Sequence, residues 1–151
     1  MQNSPYPHSP AAMGQEKPSI LFVDDEEDNL VVFRSMFRRH FKVFTAMSGE
    51  EGLRILNSED ISLVITDQRM PKMTGIQFLK NLPPSKDAIR IILTGYSDMD
   101  SALEAINHCQ VYRYLLKPWD KEELKTIMEG AVEEHRQRRA HRERVSVSAA
   151  S

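Results

Sequence analysis

The sequence is poor in the features that mark several classes of protein. One cysteine, Cys109, among 151 residues excludes an internal disulfide and any multi-cysteine metal site. No stretch approaches the roughly 18 uninterrupted apolar residues that a membrane-spanning helix requires. With 20 basic and 22 acidic residues, the net charge of −2 gives no general reason to expect nucleic acid or an anionic membrane as a partner. We therefore expect a soluble, cytoplasmic protein with one domain of ordinary size.

Large apolar residues are also scarce at the start of the chain. Residues 1–17 carry Pro5, Pro7 and Pro10 among Ser, Gln and Gly, and they lack the hydrophobic stretch of a signal peptide. We predict a disordered leader over 1–17 and a folded domain over 18–132. Over 133–151 we predict an extended basic end of the last helix and a tail that frays from Val145.

Four apolar runs each end in a reactive polar residue. Runs rich in Val, Ile and Leu without alternation are typical of buried parallel strands. A fifth strand is predicted at Lys42–Ala46, and helical spacing follows each strand. Five strands alternating with five helices predict a doubly wound, parallel α/β fold. The polar residues at the ends of the four runs are Asp24 with Asp25, Asp67, Thr94 and Lys117.

Several helix boundaries can be predicted from capping residues. Asp28, Ser48 and Asp120 are candidate caps of the first, second and last helices. A fourth helix is predicted from about Asp98 to Asn107.

The five polar side chains are expected to converge. In open parallel sheets, ligands bind outside the carboxyl ends of the strands. Asp24, Asp25 and Asp67 brought together would repel one another, and a cation stabilises such a cluster. Mg²⁺ (or Mn²⁺) is the natural candidate, because Mg²⁺ takes oxygen ligands, binds one or two carboxylates and completes its shell with water and phosphate oxygens.

The same residues fit phosphoryl chemistry. An aspartate can attack phosphorus and form an acyl phosphate, a step in which the protein mainly positions groups and neutralises charge. Lys117 offers an ammonium for one phosphoryl oxygen, and Thr94 offers a hydroxyl for another. Each residue alone would be an ordinary turn, cap or strand residue. Their joint occurrence at four strand ends favours a functional site.

Over about Pro18 to Val132 the chain resembles the receiver domain of bacterial two-component response regulators. The resemblance implies a flavodoxin-like (βα)5 fold with strand order 2-1-3-4-5 and implies that Asp67 is the phosphoacceptor. It also implies direct Mg²⁺ binding by Asp25, Asp67 and the backbone carbonyl of Arg69, with Asp24 acting largely through water. By the same analogy, Lys117 contacts the phosphoryl group and Thr94 moves to bond it. The loop residues Met70, Pro71 and Gly75 also match the family.

The resemblance further assigns a switch and two tuning positions. Tyr114 falls at the family's switch aromatic, whose ring turns inward when the threonine is drawn to the phosphate; a bistable ring suits signalling. A strand tyrosine with its hydroxyl at the surface is the alternative. Arg69 and Tyr96 lie where the family varies side chains that tune phosphoryl lifetime. Tyr112–Asp120 resembles a subgroup found ahead of cyclic-dinucleotide phosphodiesterases or kinases, although no such output domain is present here.

The leading hypothesis is a phosphorylation-driven switch, which hydrolyses its own aspartyl phosphate slowly and turns over no separate substrate. A sensor histidine kinase or phosphotransfer protein would donate to Asp67. The surface of the fourth helix, fifth strand and last helix would then signal to a downstream domain or protein. A haloacid-dehalogenase-like phosphatase is an alternative, but Glu26 stands where its second aspartate belongs, and its later acidic pair is missing. A binding module that keeps the fold without phosphorylation is another alternative.

Two further interactions depend on the last helix. The run Arg136, Arg138, Arg139, Arg142 and Arg144 could touch nucleic acid, but a polar helical extension or linker is the more frequent meaning of such a run. Nucleic acid is therefore not an expected partner. A homodimer through this helix is an open alternative, although the apolar stripe is shorter than the roughly three to four heptads of a coiled coil.

Overall fold

The computed structural model describes residues 17–95, Leu103 and residues 110–150. It contains a five-stranded parallel sheet with the order β2-β1-β3-β4-β5. The strands are β1 Ser19–Val23, β2 Lys42–Ala46, β3 Leu63–Asp67, β4 Ile89–Thr94 and β5 Arg113–Leu116. The described helices are α1 Glu27–Phe37, α2 Gly49–Ser58, α3 Gly75–Lys80 and α4 Lys121–Ala150. The predicted fold class and strand order are confirmed.

Both faces of the sheet are covered. Alternate strand residues point to opposite faces, so Ile20 and Phe22 join one core while Leu21 and Val23 join the other. The first core packs against α1 and α4, and the second packs against α2 and α3. Burial on both faces explains why the strands read as continuous apolar runs.

The helix starts show which capping predictions hold. Ser48 accepts a hydrogen bond from Glu51 N at 3.1 Å, and Asp120 accepts one from Glu123 N at 2.9 Å, so both predicted caps are confirmed. The prediction for Asp28 is wrong, because α1 begins at Glu27 and Asp28 lies in its first turn. The N-cap residue is Glu26, whose side chain makes no capping hydrogen bond; its backbone N donates to Asp24 Oδ1 at 2.8 Å.

Two other predictions concern the fourth helix and the end of the last helix. The fourth helix, Asp98–Asn107, lies outside the described residues except for Leu103, which is helical and exposed. The last helix continues to Ala150, past Val145, where fraying was expected. Extending a formed helix costs far less than nucleating one, and alanine favours the helix. Within the described residues, no helix combines the length and apolar character that crossing a bilayer requires.

Candidate functional site

The backbone places four polar residues at one edge of the sheet. Asp24 directly follows β1, Asp67 ends β3, Thr94 ends β4 and Lys117 directly follows β5. Backbone hydrogen bonds continue the ladders there: Asp24 N donates to Ala46 O at 3.0 Å, and Lys117 N donates to Thr94 O at 2.9 Å. The side chains therefore start from backbone that the sheet holds in place.

Three carboxylates come together at this edge. Asp24, Asp25 and Asp67 each place a carboxylate oxygen within 4.8 Å of the others. Asp24 and Asp67 are buried, and Asp25 is half-buried. These oxygens are hard ligands at a separation that one small cation can bridge, so the donor set fits Mg²⁺ or Mn²⁺. The sequence prediction that the three acids converge is confirmed as a geometric statement.

Asp24 is held by its neighbours rather than left free to turn. Its Oδ1 accepts from Glu26 N at 2.8 Å, and its Oδ2 accepts from Asn29 Nδ2 at 3.1 Å. Asn29 also donates to Glu26 Oε1 at 3.1 Å. Asn29 is not among the residues predicted from the sequence; its signal is a side-chain amide in the first turn of the helix that follows the acidic pair.

Asp67 carries the strongest electrostatic features of the site. Its Oδ1 lies 2.7 Å from Lys117 Nζ, and its side chain is only 9% exposed. Burial raises the pKa of Asp67, the Lys117 ammonium opposes that rise, and the nearby Asp24 charge adds to it. The result is a pKa above the ordinary aspartate value. The ionised carboxylate is therefore less stable here than in water, and a bound cation would stabilise it.

The loop after Asp67 is folded tightly against it. Gly75 N donates to Gln68 O at 3.0 Å, and Ile76 N donates to Gln68 Oε1 at 2.9 Å. A Cβ added to Gly75 would lie 2.4 Å from Asp67 O, so no other residue fits without movement. Gln68, a buried polar residue that the sequence analysis missed, thus fixes the loop; a polar residue directly after a strand-end aspartate was its available signal.

The remaining predicted residues range from buried to exposed. Thr94 is 1% exposed, and its hydroxyl donates to Gly95 O at 3.2 Å. Tyr114 is half-buried on β5 beside Ile92 of β4. Arg69 is exposed on the loop after Asp67, and Tyr96 lies outside the described residues. The peptide bond between Lys117 and Pro118 is cis.

Comparison with known proteins identifies the family. The family model described as response regulator receiver domain matches residues 20–129. The hydrogenase transcriptional regulatory protein HoxA of Cupriavidus necator is 33% identical over 122 residues, which are 80% of this chain and 25% of HoxA. The transcriptional regulatory protein GlrR of Escherichia coli K12 is 34% identical over 124 residues, which are 81% of this chain and 28% of GlrR.

Solved structures of similar proteins have the same fold as this chain. A receiver domain protein from Clostridium thermocellum has a TM-score of 0.74 and 33% identity, covering 80% of this chain and 98% of that one. A structure titled adenylate cyclase, from Rhodopirellula baltica, has a TM-score of 0.81 and 28% identity, covering 87% and 98%. The chain belongs to the response regulator receiver domain family, which acts in two-component signalling. It spans about a quarter of the length of the curated relatives named above.

Proposed function

We propose that this receiver accepts a phosphoryl group on Asp67 and uses the resulting acyl phosphate as its signal. The observation that carries the proposal is the contact between Asp67 and Lys117 inside the three-carboxylate cluster. A buried carboxylate beside an ammonium, with further acids for a cation, is the set of groups that phosphoryl transfer to an aspartate needs.

In the proposed step, a carboxylate oxygen of Asp67 attacks phosphorus of a phosphohistidine on a kinase or phosphotransfer protein. The new O–P bond forms as the N–P bond breaks, and the imidazole leaves with the electron pair and takes up a proton. Lys117 moves its ammonium from the carboxylate to a phosphoryl oxygen. Mg²⁺, when bound by Asp25, Asp67 and the Arg69 carbonyl, supplies positive charge that offsets the charge on the phosphoryl oxygens. Asp24, already oriented by Asn29, would help to hold that ion through water.

The same site accounts for the end of the signal. Water attacks phosphorus, the O–P bond to Asp67 breaks, and the carboxylate and inorganic phosphate are released. We propose that this hydrolysis is slow and that the chain turns over no separate substrate. Arg69 and Tyr96 are the positions we expect to set its rate.

The switch is proposed to run from Thr94 to Tyr114. The Thr94 hydroxyl donates to the carbonyl of the half-buried Gly95, and a phosphoryl oxygen would replace that carbonyl as the acceptor. Movement of Thr94 would open space for the Tyr114 ring, which is half-buried on the neighbouring strand. The surface around β5 and α4 would then change for a downstream domain or protein. We place this signalling in the cytoplasm, with a homodimer through α4 as an open alternative.

Intact-mass spectrometry with acetyl phosphate tests the proposal. The native chain is expected to gain one phosphoryl group only when Mg²⁺ is present, and Asp67→Asn is expected to gain none. Asp28→Asn is the matched control, because Asp28 is an exposed acid in the first turn of α1. No gain on the native chain would favour an unphosphorylated binding module, and gain on Asp67→Asn would assign the acceptor elsewhere.

A further inference from the structure

The second half of α4 is docked on the sheet by an ionic cluster far from the phosphorylation site. Asp87 Oδ1 lies 3.1 Å from His135 Nε2, and Asp87 Oδ2 lies 2.8 Å from Arg139 Nε. Arg142 also bonds to Asp87. Arg139 reaches a second acid, Asp60, through Nη1 at 3.0 Å and Nη2 at 2.7 Å. We call these five residues the docking cluster.

The two acids come from neighbouring loops at the amino edge of the sheet. Asp60 precedes β3 and Asp87 precedes β4, and these strands are adjacent. Parallel strands bring the segments before them to the same edge, opposite the edge that holds Asp67. The two carboxylates therefore form a binding site for a cationic side chain of α4.

The cationic side chains lie on the same face of α4 that packs against the first core. Leu124, Met128 and Ala131 are buried against the first core. The spacing of three and four residues continues to His135, Arg139 and Arg142. His135 is only 5% exposed, so burial on this face outlasts the apolar stripe by a full turn. One helix face thus changes from apolar to cationic where the surface beneath it changes from strands to acidic loops.

The cluster differs from the other ion pairs of α4. Arg136 and Arg138 pair only with Glu133 and Glu134 of the same helix among the contacts described, at 2.5 and 2.7 Å. Such exposed pairs stabilise the helix itself, but they form no bond between the helix and the rest of the domain. Arg139 instead donates two hydrogen bonds to each of two carboxylates, a geometry that only a guanidinium provides.

The pKa of Asp87 indicates that its carboxylate is ionised within the docking cluster. Burial would raise the pKa of Asp87, but hydrogen bonds from Arg139, Arg142 and His135 outweigh it and hold the pKa well below the ordinary value. The bonds to Asp60 and Asp87 raise the pKa of Arg139. The ionised carboxylate is thus stabilised by the contacts that hold the helix.

We propose that Asp60 and Asp87 form an intramolecular docking surface for the basic second half of α4, which makes residues 133–142 part of the same rigid body as the sheet. A partner or further segment that contacts α4 then meets a helix of fixed direction. This inference does not rest on phosphorylation of Asp67, since the contacts lie at the opposite edge of the sheet.

Amide hydrogen exchange followed by mass spectrometry tests the docking. Amides of residues 136–146 are expected to exchange roughly tenfold faster or more in Asp87→Asn and in Arg139→Gln than in the native chain. Amides of 121–131 are expected to stay protected, because apolar packing holds them. Arg136→Gln is the matched control: it removes the same charge from the same helix and is expected to change exchange less than about threefold.

Two further variants keep the test decisive if Asp87→Asn unfolds. Arg139→Lys retains the charge but loses the bidentate geometry, and Asp60→Asn removes only one of the two acids; both are expected to give intermediate exchange. Equal exchange in Arg139→Gln and Arg136→Gln would overturn the proposal, as would unprotected amides after Val132 in the native chain. Neither result depends on whether acetyl phosphate modifies Asp67.

Discussion

The ammonium of Lys117 lies 2.7 Å from the Asp67 carboxylate, although Asp67 ends β3 and Lys117 follows β5, two strands with β4 between them. The side chains meet only because both strands end at the same edge. The ion pair is the sole cationic contact described for Asp67 within residues 17–95 and 110–150. It keeps a carboxylate ionised that burial and Asp24 would otherwise protonate more readily.

Removing the ammonium tests that relationship. Lys117→Gln is expected to raise the pKa of Asp67 further, since burial and the Asp24 charge then act without a nearby cation. Phosphorylation by acetyl phosphate is expected to slow by about a hundredfold to a thousandfold, the range for losing one charge-stabilising donor. Carboxyl ¹³C NMR titration and intact-mass time courses measure the two effects. Lys72→Gln is the control, and an unchanged Asp67 titration in Lys117→Gln would mean that the ion pair is not populated in solution.

The stability of the metal-free protein should depend on the ionisation of Asp67. Its pKa is raised in the folded state, so the folded chain binds more protons than the unfolded chain between the two pKa values, and stability falls as pH rises through that window. Asp67→Asn cannot ionise. At pH 7 it is expected to be more stable than the native chain, and the difference is expected to shrink below about pH 4, the ordinary pKa of an aspartate. Urea unfolding with a chelator measures this; a less stable variant at pH 7 would show that the Lys117 ion pair outweighs burial.

Much of the site could be predicted because of a geometric rule rather than a local motif. Once the apolar runs are read as parallel strands, the residues after Val23, Thr66, Leu93 and Leu116 must share an edge. The start of α1 was harder to predict, because its N-cap residue is Glu26, whose side chain makes no capping hydrogen bond. Local propensity favours a short polar side chain such as that of Asp28 as the cap, so it cannot anticipate a helix that starts after Glu26.

The docking cluster could not be predicted for a different reason. Asp60 and Arg139 are 79 residues apart, and Asp87 and Arg139 are 52 apart. Charged side chains carry no periodic signal, so the arginine run predicts only a polar helical extension or linker. The burial of His135 in the structure shows that the packed face of α4 continues into this run.

Mg²⁺ is expected to stabilise the folded chain through the three carboxylates. A ligand that binds only the folded state adds about 2.7 kcal/mol at a concentration one hundred times its dissociation constant. Thermal unfolding should therefore shift upward with added Mg²⁺ in the native chain, and much less in Asp25→Asn. Asp28→Asn should respond like the native chain, because its carboxylate is not in the cluster. An equal shift in Asp25→Asn would remove Asp25 from the ligand set.

The contact between Gly75 and Asp67 should make Gly75 intolerant of any side chain. A methyl group there would lie 2.4 Å from Asp67 O, and that oxygen belongs to backbone that the β3–β4 pairing holds. Gly75→Ala is expected to lower the free energy of unfolding by roughly 1–3 kcal/mol, the range for overpacking. It should also slow phosphorylation, because relief of the clash must move the loop or the acceptor.

Gly130→Ala supplies the comparison for this prediction. Gly130 lies inside α4, and among the described residues an added Cβ would meet only the Tyr112 hydroxyl at 3.8 Å, an ordinary contact. The same chemical change there is expected to stabilise the chain by about 0.5–1 kcal/mol, because alanine is the better helix former. Urea unfolding of both variants measures opposite signs if the loop is packed as described. A Gly75→Ala chain that is as stable and as readily phosphorylated as the native chain would show that this loop adjusts freely and does not position Asp67.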